Sequence, residues 1–180
     1  MNSNWQKSFE LMLQSEGGFS NDQRDSGNHL PDGREGSTML GVTQYNWGNW
    51  IGHAVTQEQM KKLTPDDVKP FYKKKFWDIC KCDYMPSGID YLVFDFAVNA
   101  GCGGSAKVLQ GAVGVVPDGG IGPITLTAVN KYDSDELIEK FSNAKEAFYR
   151  SLSNFDVYGK GWLNRVDHVK QLATEMVKNS

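Results

Sequence analysis

The sequence lacks a long run of apolar residues. Its first twenty residues include Trp5, Phe9 and the apolar residues 11–13, but Lys7 and Glu10 interrupt them. Neither the apolar core of a signal peptide nor a membrane span is therefore predicted. We expect a protein made in the cytoplasm of the producing cell without a signal peptide, with no stable membrane insertion, that reaches any external target with outside help.

Cysteine is scarce, and neither sign of charge is concentrated. The three cysteines, Cys80, Cys82 and Cys102, are too few for a secreted disulfide framework, and C-x-C is not the spacing of a zinc knuckle. The 19 basic and 22 acidic residues are spread along the chain and leave a net charge of -3, whereas nucleic-acid binding needs a concentrated basic surface. We expect reduced thiols, no metal, no cofactor and no nucleic-acid partner.

The length of 180 residues, without an internal repeat or linker, predicts one compact domain, or one domain that carries a small appended module, with one active site. Nothing in the pattern requires more than a monomer.

The first element is predicted to be an amphipathic helix. Apolar residues from Trp5 to Leu13 recur on one helical face, and Gly17 and Gly18 are expected to end the helix in the left-handed conformation. Glu16 lies about three turns after Trp5, which returns it to the buried face.

Most of the remaining chain also has helical spacing. Thr56 and Thr64 are expected N-caps, and Pro70 predicts a kink or a late start in the second of these helices. Further helices are predicted at Ile89–Ala100, Ser105–Ala112, Gly122–Val129, Asp135–Leu152 and Gly161–Val177. Residues 19–43 are polar and lack a helical period, so the fold class is mainly α with a small β or loop element there.

Two acids carry the candidate chemistry. An acid such as Glu16 at the edge of an apolar face tends to hold its proton to higher pH, although it could also simply end the helix in water. Asp25 follows nine residues later in the polar segment, ahead of Thr38. One protonated acid and a second carboxylate are the components of glycoside hydrolysis, but spacing alone does not separate them from ordinary loop carboxylates.

The sequence motifs in these segments resemble those of glycoside hydrolase family 108. The first half reads Glu16-Gly17-Gly18-Phe19, then Asp22, Asp25 and Gly27, then T-M-L-G-V-T at 38–43. The second half continues the resemblance with F-D-F-A-V-N-A-G at 94–101, D-G-G-I-G-P-I-T at 118–125 and G-W-L-N-R-V at 161–166. The resemblance covers almost the whole chain.

The resemblance implies a lysozyme-like fold and a phage endolysin-type muramidase, a bacteriolytic, antimicrobial enzyme. Its expected substrate is the β-1,4 bond between N-acetylmuramic acid and N-acetylglucosamine in peptidoglycan. It implies Glu16 as the catalytic acid, with Asp25 and Thr38 positioning a water. It also implies a catalytic part at 1–92 and a helical, peptidoglycan-binding-like part at 93–180.

The chain departs from the family pattern by an insertion at residues 28–36. Asp22 or Asp32 could therefore take the place of Asp25, and Thr43 competes with Thr38.

Four residues are expected to contact substrate. They are Thr43, Tyr45, Trp47 and Asn99. Of the aromatic residues Tyr45, Trp47 and Trp50, at least one is expected to pack in the core and one to contact a sugar. Asn99 is expected to donate a hydrogen bond to an N-acetyl sugar or to cap its helix, and Asp95 is expected to be a buried structural partner.

Two other functions remain open on the sequence. A non-catalytic wall-binding protein would use residues 118–125 to hold glycan or peptide, and a lytic transglycosylase would use a single glutamate without water. An endolysin, a virion lysozyme and a secreted effector are equally compatible with the pattern.

Overall fold

The computed structural model describes residues 4–180. In chain order its helices and strands are α1 (Trp5–Ser15), β1 (Thr38–Met39), β2 (Val42–Thr43), α2 (Gln44–Ile51), α3 (Gln57–Lys61), α4 (Pro65–Tyr72), α5 (Ile89–Ala100), α6 (Cys102–Val113), α7 (Pro123–Lys131), α8 (Ser134–Arg150) and α9 (Phe155–Lys178). A π-helical turn spans Lys73–Trp77, and short 3-10 turns span Ser26–Asn28 and Cys82–Tyr84. The predicted mainly α class, with a small β element between residues 19 and 43, is confirmed.

The chain separates into two compact units. Residues Phe9–Lys74 form the first, here called the loop-rich unit. The rest of the described chain forms the second, here called the helical unit.

A tight hairpin is the only two-stranded sheet in the described part of the loop-rich unit. Thr38 pairs with Thr43 and Met39 with Val42 in antiparallel register. Leu40 and Gly41, which connect the strands, both have positive φ angles, of 51° and 81°. Two consecutive positive φ angles are the signature of a type I′ turn, whose twist matches that of the paired strands.

The helices of the loop-rich unit begin at the predicted caps. Thr56 and Thr64 each accept a hydrogen bond from the third residue of their helix and complete a capping box. Pro65 occupies the first turn of α4, where its missing N–H costs nothing. The predicted late start is therefore not seen, because the helix begins at Pro65 and includes Pro70. It continues into the π-helical turn Lys73–Trp77.

The end of α1 differs from its prediction in mechanism. The helix ends at Ser15, as expected from the glycines that follow, and Glu16 N–H still bonds to Leu13 O at 3.1 Å. Neither Gly17 nor Gly18 has a positive φ, however. The expectation of a left-handed glycine cap was wrong, and the chain after the helix leads to Ser20, which pairs with Thr38.

Helix α5 is the core of the helical unit. It spans the predicted residues Ile89–Ala100, is buried from Ile89 to Ala97, and contacts α6, α8 and α9. The Trp5 ring packs against Phe94 of this helix and against Trp77. Each large apolar side chain buried in this way contributes roughly 1.5–3 kcal/mol to folding.

Asp95 is a buried structural partner, as predicted. Its carboxylate lies 3.3 Å from Lys145 Nζ on α8 and 3.0 Å from Arg165 on α9. Asp95 and Lys145 are almost fully buried, and burial lowers the pKa of Lys145. One carboxylate thus joins three helices by ion pairs.

Gln110 organises the turn after α6. Its buried side-chain amide donates to Asp118, Gly120 and Thr125, and its oxygen accepts from Gly119 N–H. Polar groups of the 118–125 segment are therefore used within its own fold. No helix in residues 4–180 is long and apolar enough to cross a membrane.

Candidate active site

Glu16 lies one residue beyond the end of α1 and is partly buried. The buried residues Phe9 and Met12 of the same helix fix the end from which its side chain extends. Glu16 therefore extends from the end of this helix rather than from its face, and its role as the acid stays a prediction.

The Glu16 carboxylate is held against the hairpin turn. A Cβ on Gly41 would stand 2.9 Å from Glu16 Oε2 and 2.5 Å from the Tyr72 hydroxyl. Gly41 therefore has to be glycine for two reasons, its φ of 81° and the two oxygens that occupy the place of a side chain. The turn, the acid and the phenol form one cluster, here called the Glu16 cluster.

Tyr72 is a member of this cluster that the sequence did not reveal. Its buried phenol donates a hydrogen bond to Leu40 O at 2.8 Å. Burial, and secondarily the charge of Glu16, raise the pKa of Tyr72 well above its usual value, so the phenol stays a neutral donor. The bond holds Leu40 in a positive-φ conformation that is strained for a residue with a side chain.

The other sequence-predicted catalytic residues converge around Gly27. A Cβ there would lie 3.3 Å from Asp25 Oδ1, 3.2 Å from Thr43 Cγ2 and 4.0 Å from Thr38 Oγ1. Asp25 caps the 3-10 turn by accepting from Gly27 N–H at 2.9 Å. The structure thus brings Asp25, Thr38 and Thr43 together in the loop-rich unit.

Asn28 ties this loop together. The side chain is fully buried, donates to Asp22 O at 2.8 Å, and accepts the Thr38 hydroxyl at 2.7 Å. The backbone oxygen of Asn28 accepts from Gly36 N–H, which closes the loop of the insertion. Sequence reasoning treated Asn28 as the first residue of an insertion and missed its role, because a polar loop asparagine has no distinguishing pattern.

The two competing carboxylates are each engaged by an arginine. Asp22 pairs with Arg24 at 2.6 Å, and side-chain hydrogen bonding from Arg24 lowers the pKa of Asp22 to about 2. Asp32 pairs with Arg34 at 2.7 Å, and hydrogen bonds from the Arg34 backbone and side chain lower the pKa of Asp32.

The three aromatic residues after the hairpin separate by burial. Trp47 is buried and packs edge-on against Phe71, so the packing interpretation is confirmed for it. Trp50 also contacts Phe71 and is partly exposed. Tyr45 is 48% exposed and lines a cavity of about 450 Å³ together with Asp32, Arg34 and other residues of the loop-rich unit.

Asn99 belongs to the helical unit. It lies exposed near the end of α5, and its side-chain amide donates to Asp95 O at 3.3 Å, one turn earlier. The C-cap of α5 is Gly101, so the capping interpretation of Asn99 was wrong.

The cysteines are free thiols, with Cys80 and Cys82 buried and Cys102 partly exposed. Among residues 4–180, no three or more His, Cys, Asp or Glu side chains are placed to hold a metal ion together.

A family model described as glycosyl hydrolase 108 matches residues 9–101, more than half of the chain. The chain belongs to glycosyl hydrolase family 108. In this family 108 protein, a second model, described as a predicted peptidoglycan domain, matches residues 105–167. The first match contains the Glu16 cluster and the loop around Gly27 with Asp25. The second match runs from α6 into α9.

A solved structure supports the same assignment. The family 108 protein is similar to Brucella abortus SagA, with 32% sequence identity, a TM-score of 0.86, and coverage of 98% of this chain and 97% of that one. A comparison with curated protein sequences gives no match. The family 108 chain is thus a glycoside hydrolase that acts on peptidoglycan, and Glu16 lies within the residues that the family model matches.

Proposed function

We propose that this protein is a muramidase of the endolysin type, which hydrolyses the β-1,4 bond between N-acetylmuramic acid and N-acetylglucosamine. The observation that carries the proposal is the Glu16 carboxylate, held against Gly41 and beside the buried Tyr72 phenol in a family 108 chain. Such a carboxyl group, at the rim of an apolar helix end, is suited to protonate the leaving glycosidic oxygen.

Asp25 is proposed as the second carboxylate. It lies on a loop near Gly27, where the Thr38 hydroxyl and the Thr43 methyl group also approach, and its described hydrogen bond is to a backbone N–H rather than to a cation. A carboxylate on this loop and the hydroxyl of Thr38 on the neighbouring strand can hold a water between protein and sugar. Asp22 and Asp32 fit this role less well, because each is bound by an arginine.

Substrate contacts are proposed for Tyr45 and Thr43 in the loop-rich unit and for Asn99 in the helical unit. Tyr45 is the most accessible of the three aromatic candidates and borders a cavity, so its ring can stack on a sugar. Residues 1–92 are proposed to carry the catalytic function and residues 93–180 the wall-binding function.

The test is a digest of purified insoluble peptidoglycan analysed by mass spectrometry. Hydrolysis by a muramidase leaves products with a reducing muramic acid. A transglycosylase would give anhydro products lighter by one water, and cleavage after N-acetylglucosamine would leave that sugar at the reducing end. Either of those results would refute the proposed bond specificity.

Glu16→Gln is expected to abolish the clearing of cell walls in a gel assay, because it keeps the shape of the side chain and removes only the transferable proton. Glu10→Gln, on the exposed side of the same helix, is the matched control and should clear walls normally. Melting curves of both variants should stay near that of the parent. Clearing by a folded Glu16→Gln protein would disprove the assignment of the acid.

A further inference from the structure

All three cysteines of the chain meet at one place in the helical unit, although Cys102 is distant in sequence from Cys80 and Cys82. The Cys80 thiol is hydrogen-bonded to the thiols of both Cys82 and Cys102. An independent contact supports this arrangement, because Cys102 Sγ, at the start of α6, lies 3.3 Å from Lys75 O in the π-helical turn that leads to Cys80. We call these three side chains the thiol cluster.

The members of the thiol cluster differ in their access to solvent. Cys80 and Cys82 are buried, with exposed fractions of 1% and 0%, whereas Cys102 is partly exposed. A dissolved oxidant can therefore reach the Cys102 sulfur first, and the thiol already in contact with that sulfur is Cys80. Cys82 contacts Cys80 but is closed to solvent, so oxidation that begins at Cys102 leaves Cys82 as a thiol.

Hydrogen bonding and burial keep the thiol cluster protonated at neutral pH. The hydrogen bond from Cys102 lowers the pKa of the Cys80 thiol, but the hydrogen bond to Cys82 and burial outweigh it and raise this pKa to about 12. The hydrogen bond to Cys80 and burial raise the pKa of the Cys102 thiol well above its usual value. Because the thiolate is the nucleophile in disulfide exchange, the cluster oxidises slowly and stays reduced in reducing surroundings.

We propose that Cys80 and Cys102 form a disulfide when the protein works outside the reducing cytoplasm, and that this bond stabilises the helical unit. Peptidoglycan, on which this family 108 protein acts, lies outside the cytoplasmic membrane, where disulfides form and persist. The bond would join the turn after α4 to the start of α6 and enclose residues 81–101, which contain α5. A cross-link of this kind stabilises mainly by restricting the unfolded chain. The inference goes beyond the proposed cleavage reaction, in which neither thiol takes part.

The reaction needs a two-electron oxidant, and a small disulfide of the glutathione class supplies it. The Cys102 thiolate attacks one sulfur of the oxidant and forms a mixed disulfide, and the first glutathione leaves as a thiolate. The Cys80 thiolate then attacks the Cys102 sulfur, which forms the Cys80–Cys102 bond and releases the second glutathione. The two cysteines lose two electrons and two protons, which leave with the two glutathione thiols.

The test incubates the purified whole chain with oxidised glutathione, blocks the remaining thiols with N-ethylmaleimide in denaturant, and maps the peptides by mass spectrometry. The expected product has one disulfide between Cys80 and Cys102 and one blocked thiol at Cys82. Its rate of formation should rise about tenfold per pH unit between pH 7 and pH 9, because the thiols are still mostly protonated there.

Four other products would each overturn the proposed pairing. They are a Cys80–Cys82 bond, a disulfide between two copies of the chain through Cys102, a glutathione adduct that persists on Cys102, and three blocked thiols after prolonged oxidation.

Unfolding in urea tests the stabilising role. The oxidised protein should unfold at a midpoint about 1 M higher than the reduced protein. Cys102→Ser removes the pair, so oxidation should leave its midpoint unchanged, whereas the matched control Cys82→Ala should still form the bond and gain the shift. An unchanged or lower midpoint in the oxidised parent would refute the stabilisation, and this comparison needs no substituted protein.

Discussion

At the scale of single residues, the site depends on two glycines, Gly41 and Gly27, that have no Cβ. Gly41 leaves room for Glu16 Oε2 and the Tyr72 hydroxyl where a Cβ would stand. Gly27 similarly lies among the side chains of Asp25, Thr38 and Thr43. Glycines in the hairpin and loop therefore determine where the acids and hydroxyl groups stand, and the side chains named from sequence act only within this frame.

Gly41→Ala is expected to lower kcat by about a hundredfold, because displacement of a catalytic group by about 1 Å can cost that much. The matched control is Gly52→Ala, since Gly52 has a similar φ of 92° and nothing within 4 Å of a Cβ. Both variants should lose roughly 1–2 kcal/mol of stability through left-handed strain, and Gly41→Ala should lose more because its Cβ overlaps Glu16 and Tyr72. Kinetics on solubilised peptidoglycan and urea unfolding measure the two effects. Equal activity of the two variants would show that the Glu16 contact is unimportant.

At the scale of elements, the helix starts and turns could be predicted from the sequence, but the contacts between elements could not. The starts of α3 and α4 are marked by Thr56, Thr64 and Pro65. These residues act through local hydrogen bonds and a fixed φ, which need no distant partner. The predicted start of α9 at Gly161 was late, because the helix begins at Phe155 and runs through Gly159 and Gly161. Arg150 of α8 lies over the Phe155 ring and Tyr149 of α8 stacks on Trp162, and these contacts with another helix are tertiary.

The start of α5 contains a carboxyl group with a raised pKa. Asp90 accepts from the backbone N–H groups of Gly88 and Tyr91 and from Asn4, yet burial raises its pKa to about 6 from an ordinary 3.8. The folded state therefore holds a proton that the unfolded state releases between pH 4 and 6. Stability from this group falls as pH rises through that window, at up to about 1.4 kcal/mol per pH unit, and is then constant.

Asp90→Asn should remove this dependence. The free energy of unfolding of the variant, relative to the parent, should rise by up to roughly 3 kcal/mol between pH 4 and pH 7. Urea unfolding at several pH values measures this difference. Asp156→Asn, an exposed change on α9, is the control. A constant difference between the Asp90 variant and the parent would contradict the raised pKa.

The presentation of the two acids predicts the stereochemistry. Glu16 lies one residue beyond α1, whereas Asp25 caps a 3-10 turn in a loop that lies near Thr38 of β1 and Thr43 of β2. A loop that holds a water favours inversion, which needs a carboxyl separation of roughly 6.5–9.5 Å rather than about 5–5.5 Å. Proton NMR of a fresh digest should therefore show the α-anomer first. The β-anomer appearing first would reject Asp25 as a water-orienting base while leaving Glu16 as the acid.

At the scale of the whole molecule, the proposed chemistry uses only carboxylates, hydroxyl groups and water. Changing Cys80, Cys82 and Cys102 to serine should leave kcat unchanged, but it should lower stability by about 1–3 kcal/mol because two of the hydroxyl groups would be buried. EDTA should not lower activity. Zinc in the purified protein, or inactivation by the chelator, would instead require a metal in the mechanism.

The sequence by itself determined the helical class, most helix starts, and the identities of Glu16, Asp25, Thr38 and Thr43 as candidate site residues. These features depend on local periodicity, capping residues and sequence motifs, each of which lies within a short stretch of chain. Only the tertiary structure decided that Tyr72 supports the turn beside Glu16, that Asn28 ties the loop, and that Trp47 is core while Tyr45 is exposed. Each of these depends on contacts between residues distant in sequence, because burial and hydrogen-bond partners are set by what other segments bring to the same place.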